Sequence, residues 1–275
     1  MQYVKVTFAT ASQEQSDMLV ALLAGAGYDG FEEQGNYLFA YIERPEFHAE
    51  ELRPLAGDRG IVYETEIIPA QNWNALWEAN FEPVVVDGFC TIRAHFHNIA
   101  ITTPYSITIT PKMSFGTGHH ATTQLVMAMM KDIPLESSAV LDFGTGTGVL
   151  AILAEMLGAA AVLAIDNDEW SVENAIENVA QNHCKNITVK RGSLEDIGSY
   201  KADVVLANIN RNILLQYMRP LYALLNAGGT IIMSGLLVAD KEIILQAAAD
   251  AGFQFISNSE QSNWIALLLK KIIIT

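Results

Sequence analysis

Cysteine is nearly absent: Cys90 and Cys184 are the only two, far apart and without a Cys-x-x-Cys partner. Neither a disulfide framework nor a cysteine zinc site can be built from them, and a reducing, cytoplasmic setting is expected. Long apolar runs are missing too. Stretches such as Ala159 to Ile165 fall far short of the roughly 20 residues a membrane-spanning helix needs. Met1 to Thr10 alternates like a strand, without the basic segment and apolar core of a signal peptide, so a soluble protein away from membranes is expected. Basic residues are scarce, 16 Lys and Arg against 31 Asp and Glu, for a net charge of −15. That balance argues against a broad grip on nucleic-acid phosphates and suits a cationic partner, although an acidic surface also serves solubility. No internal repeat, low-complexity stretch or charged tail occurs.

What is present is a chain of 275 residues, 51% of them hydrophobic, enough for a sizeable core in two domains. Alternation predicts a strand over Tyr3–Phe8, and helical spacing a helix over Ser12–Leu23 that ends at Gly25 and Gly27. Tyr28–Glu32 and Tyr37–Ile42 flank a Gln34-Gly35-Asn36 turn as a hairpin. A helix over Pro45–Leu55 and a strand over Ile61–Ile67 complete the split βαβ order called ferredoxin-like, predicting a first domain at residues 1–67. Residues 68–83 read as a helical linker. There Trp73, Trp77 and Phe81, four apart, share one face for packing or, alternatively, for substrate contact, and Pro83 stops the helix.

Residues 84–275 read as an α/β domain. Short strands at Cys90–Ala94 and Ile107–Ile109 and a helix over His120–Lys131 precede an alternation that demands a parallel sheet with crossover helices. Its strands are expected at Ala139–Phe143, Ala161–Ile165, Ile187–Lys190, Ala202–Ala207 and Thr230–Met233. Phe253–Ser257 and Trp264–Leu269 form an antiparallel addition, giving a Rossmann-like, mostly parallel seven-stranded sheet.

Five motifs carry chemistry. In Val140 to Gly148 an apolar strand runs into Gly144, Gly146 and Gly148, so that a ligand can approach the backbone where strand turns to helix. A dinucleotide site spaces its third glycine one residue later, where Val149 stands; the spacing favours a nucleoside cofactor without pyrophosphate. Asp166 ends the next strand, where an acidic side chain accepts from ribose hydroxyls; the alternative is a helix N-cap, a role Asn167 or Asp168 could fill, leaving Asp166 freer. Ser193 and Leu194 lie at the edge expected for a base. Asn208, in Ala207-Asn208-Ile209-Asn210, ends the fourth parallel strand with a donor and an acceptor at the expected reaction centre, or else caps the following helix. Lastly, Met113-Ser114-Phe115-Gly116-Thr117-Gly118-His119-His120-Ala121-Thr122-Thr123 suggests a lid with hydroxyls over the ligand; zinc is the alternative, but His119 and His120 would splay apart on a helix.

Together these residues resemble the bacterial family of ribosomal protein methyltransferases that modify the eleventh protein of the large subunit. The resemblance spans the chain and is most specific in the Phe-Gly-Thr-Gly loop with its Thr-Thr. It implies a class I S-adenosylmethionine-dependent methyltransferase domain behind a substrate-recognising small domain. By that resemblance Thr123, Gly144, Asp166 and Asn208 bind S-adenosylmethionine; from the motifs themselves Phe115, Gly116, Thr117, Gly146, Ser193 and Leu194 are expected around it. Asn208 would aim the acceptor amine, a lysine or the N-terminal amine of the large-subunit ribosomal protein. A small-molecule or different protein acceptor, and a non-catalytic binding protein, are the alternatives. Ser114, where the family commonly has Ala, and Asn167 to Trp170, where Ile-Asp-Pro is usual, depart from the pattern.

Overall fold

The computed structural model describes residues 3–56, 59–68, 81–112 and 114–272, and the chain divides into two compact units, Met1–Asn80 and Phe81–Thr275. The helix expected to carry Trp73 and Trp77 lies outside the described residues.

In the first unit the elements are β1 (Tyr3–Ala9), α1 (Gln13–Gly25), β2 (Gly30–Gln34), β3 (Tyr37–Glu43), α2 (Ala49–Leu55) and β4 (Tyr63–Ile68). The alternation of β1 turns Val4, Val6 and Phe8 inward against Leu38, Ala40 and Ile42 of β3 and against Leu19 and Leu23 of α1. All strand pairs are antiparallel, in the order β2-β3-β1-β4. Ser12 caps α1 by accepting from the Gln15 N–H. The helix expected over Pro45–Leu55 is shorter. Arg44–Glu46 forms a 3-10 turn, Phe47 and His48 are extended, and α2 begins only at Ala49. Pro45 fits a first turn but lacks an N–H, and extending the next two residues lays Phe47 on the core, which outweighs continuing the helix.

The second unit opens with β5 (Val84–Val86), β6 (Cys90–Ala94) and β7 (Tyr105–Ile109), a separate small sheet in which β6 and β7 are parallel. Then follow α3 (Ala121–Met130), β8 (Ala139–Phe143), α4 (Val149–Met156), β9 (Ala161–Asp166), α5 (Glu169–Gln181), β10 (Ile187–Arg191), β11 (Ala202–Asn208), α6 (Arg211–Leu224), β12 (Leu225–Leu237), α7 (Lys241–Ala251), β13 (Phe253–Gln261) and β14 (Trp264–Lys271). The seven-stranded sheet runs β10-β9-β8-β11-β12-β14-β13, parallel from β10 to β12, with β14 antiparallel to both neighbours. Its central strands are mostly apolar because both faces are covered. One core lies against α3 and α4 and holds Val140, Val204 and Ile232; the other lies against α6 and α7 and holds Leu141, Val205 and Ile231. β12 far exceeds the expected Thr230–Met233, because it pairs with β11 again at Leu225 and with β14 again at Leu236 and Leu237, beyond the register shifts on either side.

From β8 the chain moves outward to β9 and β10, then crosses back to place β11 on the other side of β8. That reversal opens a crevice at the carboxyl ends of β8 and β11, where open α/β sheets bind ligands.

Candidate active site

The crevice holds a cavity of about 520 Å³. Of the residues singled out in the sequence, Phe115, Gly144, Gly146, Asp166, Ser193 and Asn208 line it; Gly116, Thr117, Thr123 and Leu194 do not.

Its floor is the turn after β8. Gly144, Gly146 and Gly148 all have left-handed backbone, with φ of +77°, +55° and +81°. The turn is tied to the end of β9, since the Gly144 and Thr145 N–H groups both donate to the Ile165 carbonyl, at 2.9 and 3.0 Å. Gly146 N–H donates to Asp166 Oδ2 at 2.9 Å, and the Asp168 N–H to Asp166 Oδ1 at 3.1 Å. Asp168 caps α5 through the Ser171 N–H at 2.9 Å. Asp166 therefore escapes the capping role, yet it is less free than the sequence suggested: each oxygen already holds one backbone amide, leaving its remaining lone pairs for a ligand.

The Phe115–His120 loop is laid directly on this turn. Thr147 N–H donates to the Phe115 carbonyl at 2.9 Å, and the Thr147 hydroxyl to the Gly116 carbonyl at 2.7 Å. The expected row of hydroxyls over the ligand is absent. Thr117 Oγ1 meets His119 Nδ1 at 3.2 Å, and Thr122 and Thr123 are buried in the first turn of α3, where Thr122 meets the capping His120 at 2.8 Å. What the loop presents to the cavity is the Phe115 ring, 52% exposed and edge-on to His120, which in turn packs on Trp264. His119 Nε2 lies 3.0 Å from the Glu82 carbonyl, so both histidines serve the loop's own geometry.

Asn208 ends β11. Its Nδ2 donates to Thr123 Oγ1 at 3.3 Å, while its Oδ1 is buried with no partner. Capping of α6 falls to Asn210, which accepts from the Ile213 N–H at 3.1 Å, so the capping alternative for Asn208 is removed. A buried, unpartnered amide oxygen costs about 1–3 kcal/mol and calls for a purpose. At the far end Ser193 is set by a short 3-10 turn, its N–H on Asp196 Oδ2 and its hydroxyl on Tyr217 Oη at 3.0 Å. Leu194 turns instead into the α6/α7 core. Ile209, quoted in the motif but given no role there, and Ile213 and Tyr217, not singled out in the sequence, help form this wall. Ile213 and Tyr217 were accessible by helical spacing, being four apart on the helix that starts beside Asn208.

Beneath the floor, Asp142 of β8 is fully buried and accepts from the Thr145 hydroxyl at 2.6 Å. Burial, with the Asp166 charge adding, pushes its carboxyl up to about 7, against the pull of the Thr145 hydroxyl. Between the unfolded value near 4 and about 7 the folded chain holds a proton that the unfolded chain has lost, so stability falls as pH rises through that window. Asp142→Asn is expected to abolish a pH-dependent loss on the order of 2–4 kcal/mol between pH 5 and 8, read from urea midpoints. An unchanged difference between those midpoints would refute the burial argument.

Among the described residues, no helix is long and apolar enough to cross a membrane, and no three His, Cys, Asp or Glu gather as a metal cluster.

A sheet that is parallel but for the single reversed strand β14, with a ligand-sized cavity over the glycine turn after β8, is the fold of the class I S-adenosylmethionine-dependent methyltransferases. A solved structure of a ribosomal protein L11 methylase from Lactobacillus delbrueckii subsp. bulgaricus aligns with a TM-score of 0.65 at 31% identity, covering 70% of this chain and all of that one. Residues 32–272 match the family model described as ribosomal protein L11 methyltransferase (PrmA). Proteins named ribosomal protein L11 methyltransferase from Phocaeicola vulgatus and Porphyromonas gingivalis are 39% and 40% identical, over 97% and 91% of this chain and 98% and 89% of their own lengths. The chain belongs to the ribosomal protein L11 methyltransferase family.

Proposed function

We propose that this chain transfers methyl groups from S-adenosylmethionine to amines of ribosomal protein L11 in the cytoplasm, its first unit docking the acceptor protein. One observation carries the reading of the site: the buried, unpartnered Oδ1 of Asn208 on the wall of a cavity floored by the glycine turn. The donor set suits a nucleoside that carries a cationic sulfur. Gly144 and Gly146 admit it to the backbone, the free lone pairs of Asp166 accept from ribose hydroxyls, and Ser193 with Tyr217 flank the base. When bound, S-adenosylmethionine supplies a methyl group on a sulfonium, transferred by direct displacement without a covalent enzyme nucleophile.

The chain's own task is alignment and exclusion of water. Asn208 Oδ1 accepts a hydrogen bond from the amine and so aims its lone pair, while Thr123, bonded to Nδ2, fixes which face of the amide is offered. Phe115 supplies apolar cover beside it. An amine must be neutral to react: an N-terminal amine near pKa 8 is readily so, and a lysine near 10.4 is helped by desolvation against Phe115 and Ile209. Among the described residues that line the cavity, Asp166 and Tyr217 are the ones with an ionisable side chain. Asp166 already holds two amides, so the proton leaves to solvent rather than to a dedicated base.

For docking, residues 1–80 carry 4 Lys and Arg against 13 Asp and Glu, a surface suited to a lysine-rich partner. Removing residues 1–80 is expected to abolish methylation of intact L11 while leaving cofactor affinity within about threefold, because every cavity residue lies beyond them. Full activity after removal would reject the docking role. The overall reading is tested by intact-mass analysis of purified L11 after incubation with the chain and S-adenosylmethionine. Mass gains in multiples of one methyl are expected. Their absence, with the cofactor bound, would reject the acceptor.

A further inference from the structure

Asn208 is useful only if its amide stands at a fixed height above the glycine turn, and the element that sets that height lies outside the cavity wall. Ile209, next in sequence, is gripped from two sides. Its side chain lies against Gly144, where an added Cβ would overlap Ile209 Cγ2. Its backbone lies against Gly235 of β12, where an added Cβ would overlap the Ile209 carbonyl oxygen and stand 2.7 Å from its carbon and 3.1 Å from its nitrogen. Gly235 has φ +82°, a conformation that L side chains rarely adopt.

This close approach arises from a bulge. Between Met233 and Leu236, β12 uses three residues where β14 uses two, from Leu267 to Ile265, so one extra residue is left out of the ladder. The bulge is pinned on both sides. Ser234, buried, donates from Oγ to the Ile265 carbonyl at 3.1 Å, and its own carbonyl accepts from the Ile209 N–H at 3.1 Å, continuing the pairing of Asn208 with Ser234. A regular strand here would carry a side chain into the space the Ile209 peptide occupies.

We propose that Gly235 is a positioning residue for methyl transfer: the Ser234–Gly235 bulge makes the hollow that seats the Ile209 peptide and thereby registers Asn208 against the cofactor turn. This rests on the reading of Asn208 as the group that aims the amine. Because the atoms in the way at Gly235 are backbone, no side-chain adjustment relieves the overlap, and the bulge and the strand end carrying Asn208 must shift relative to one another.

The test compares Gly235→Ala with Gly252→Ala in the full chain. Gly252 also has positive φ, but it caps α7 and does not line the cavity, and the nearest atoms to a Cβ added there belong to the Tyr222 side chain. Gly235→Ala is expected to lower kcat on purified L11 at least about 30-fold, with the dissociation constant for S-adenosylmethionine changed less than about threefold, since a misplacement near 1 Å costs about that much in rate. Gly252→Ala should lose thermal stability without that split. The Asn208 side-chain amide resonances, identified by their loss in Asn208→Ala, should shift in Gly235→Ala and not in Gly252→Ala. That readout holds whatever the acceptor proves to be, so an inactive parent chain would sink the L11 reading and leave the positioning claim separately testable. Should Gly235→Ala fail to fold, Ser234→Ala loosens the same bulge by removing its bond to Ile265. It should give the same split, about 3–10-fold in kcat, with broadened Asn208 amide signals. Unchanged amide resonances, or kcat within threefold of the parent in a folded variant, would overturn the proposal.

Discussion

Asn208→Ala is expected to reduce kcat on L11 by roughly 100-fold, with a much smaller change in cofactor affinity. Among the described residues that line the cavity, Asn208 is the one with a buried side-chain acceptor that has no partner, and the substitution removes it. It also leaves the fully buried Thr123 hydroxyl without its donor, so a stability loss of about 1–2 kcal/mol should accompany the kinetic effect. The two consequences separate experimentally. Thermal midpoints report the orphaned Thr123, whereas single-turnover rates at saturating cofactor and L11 report alignment of the amine. A turnover within a few-fold of the parent chain under saturation would show that Asn208 is structural, and the proposed mechanism would lose its acceptor.

Gly146→Ala should cost more in stability and abolish measurable cofactor uptake. Three effects converge at this residue. Its φ of +55° is strained for alanine; its N–H is bound to Asp166; and a Cβ would overlap the Phe115 carbonyl, which is itself held by the Thr147 N–H. The turn and the loop above it cannot both keep their places. A loss of roughly 3–5 kcal/mol is expected from this combination, with calorimetric titration showing no saturation at cofactor concentrations that saturate the parent. Gly144→Ala is an instructive contrast, because the atom in the way there is Cγ2 of the Ile209 side chain. Adding Ile209→Ala should restore part of the binding lost in Gly144→Ala, whereas Phe115→Ala should restore none in Gly146→Ala. Rescue of the latter pair would show that the ring, not the carbonyl, sets the spacing.

These effects also mark how far a one-dimensional reading reaches. The order of strands and helices in the second unit follows from periodicity, because a buried parallel strand must be apolar on both faces and its crossover helix on one. Asp166 and Asn208 could be picked out because each follows an apolar strand, and strand ends in such sheets face the crevice. Leu194 and Thr117 sit in the right loops, yet they face the core and His119. Sequence proximity does not fix side-chain direction in irregular backbone. Tyr217 and Ile213 were reachable only by extending helical spacing from Asn210, and the reach of β12 was hidden because its pairing breaks at Gly228, Gly229 and Gly235 and resumes beyond them against the neighbouring strands.

By itself, then, the sequence determined which segments become strands and helices, where glycine must permit left-handed backbone, and which polar side chains stand at strand ends; these are local properties written in spacing and stereochemistry. Only the tertiary structure decided that Asp166 would share its carboxylate with the Gly146 amide, that Phe115 rather than a hydroxyl would face the cavity, and that Asn208 would keep one oxygen unpaired. Each depends on atoms brought together from distant parts of the chain, and whether a hydrogen bond is made or withheld is settled by that packing.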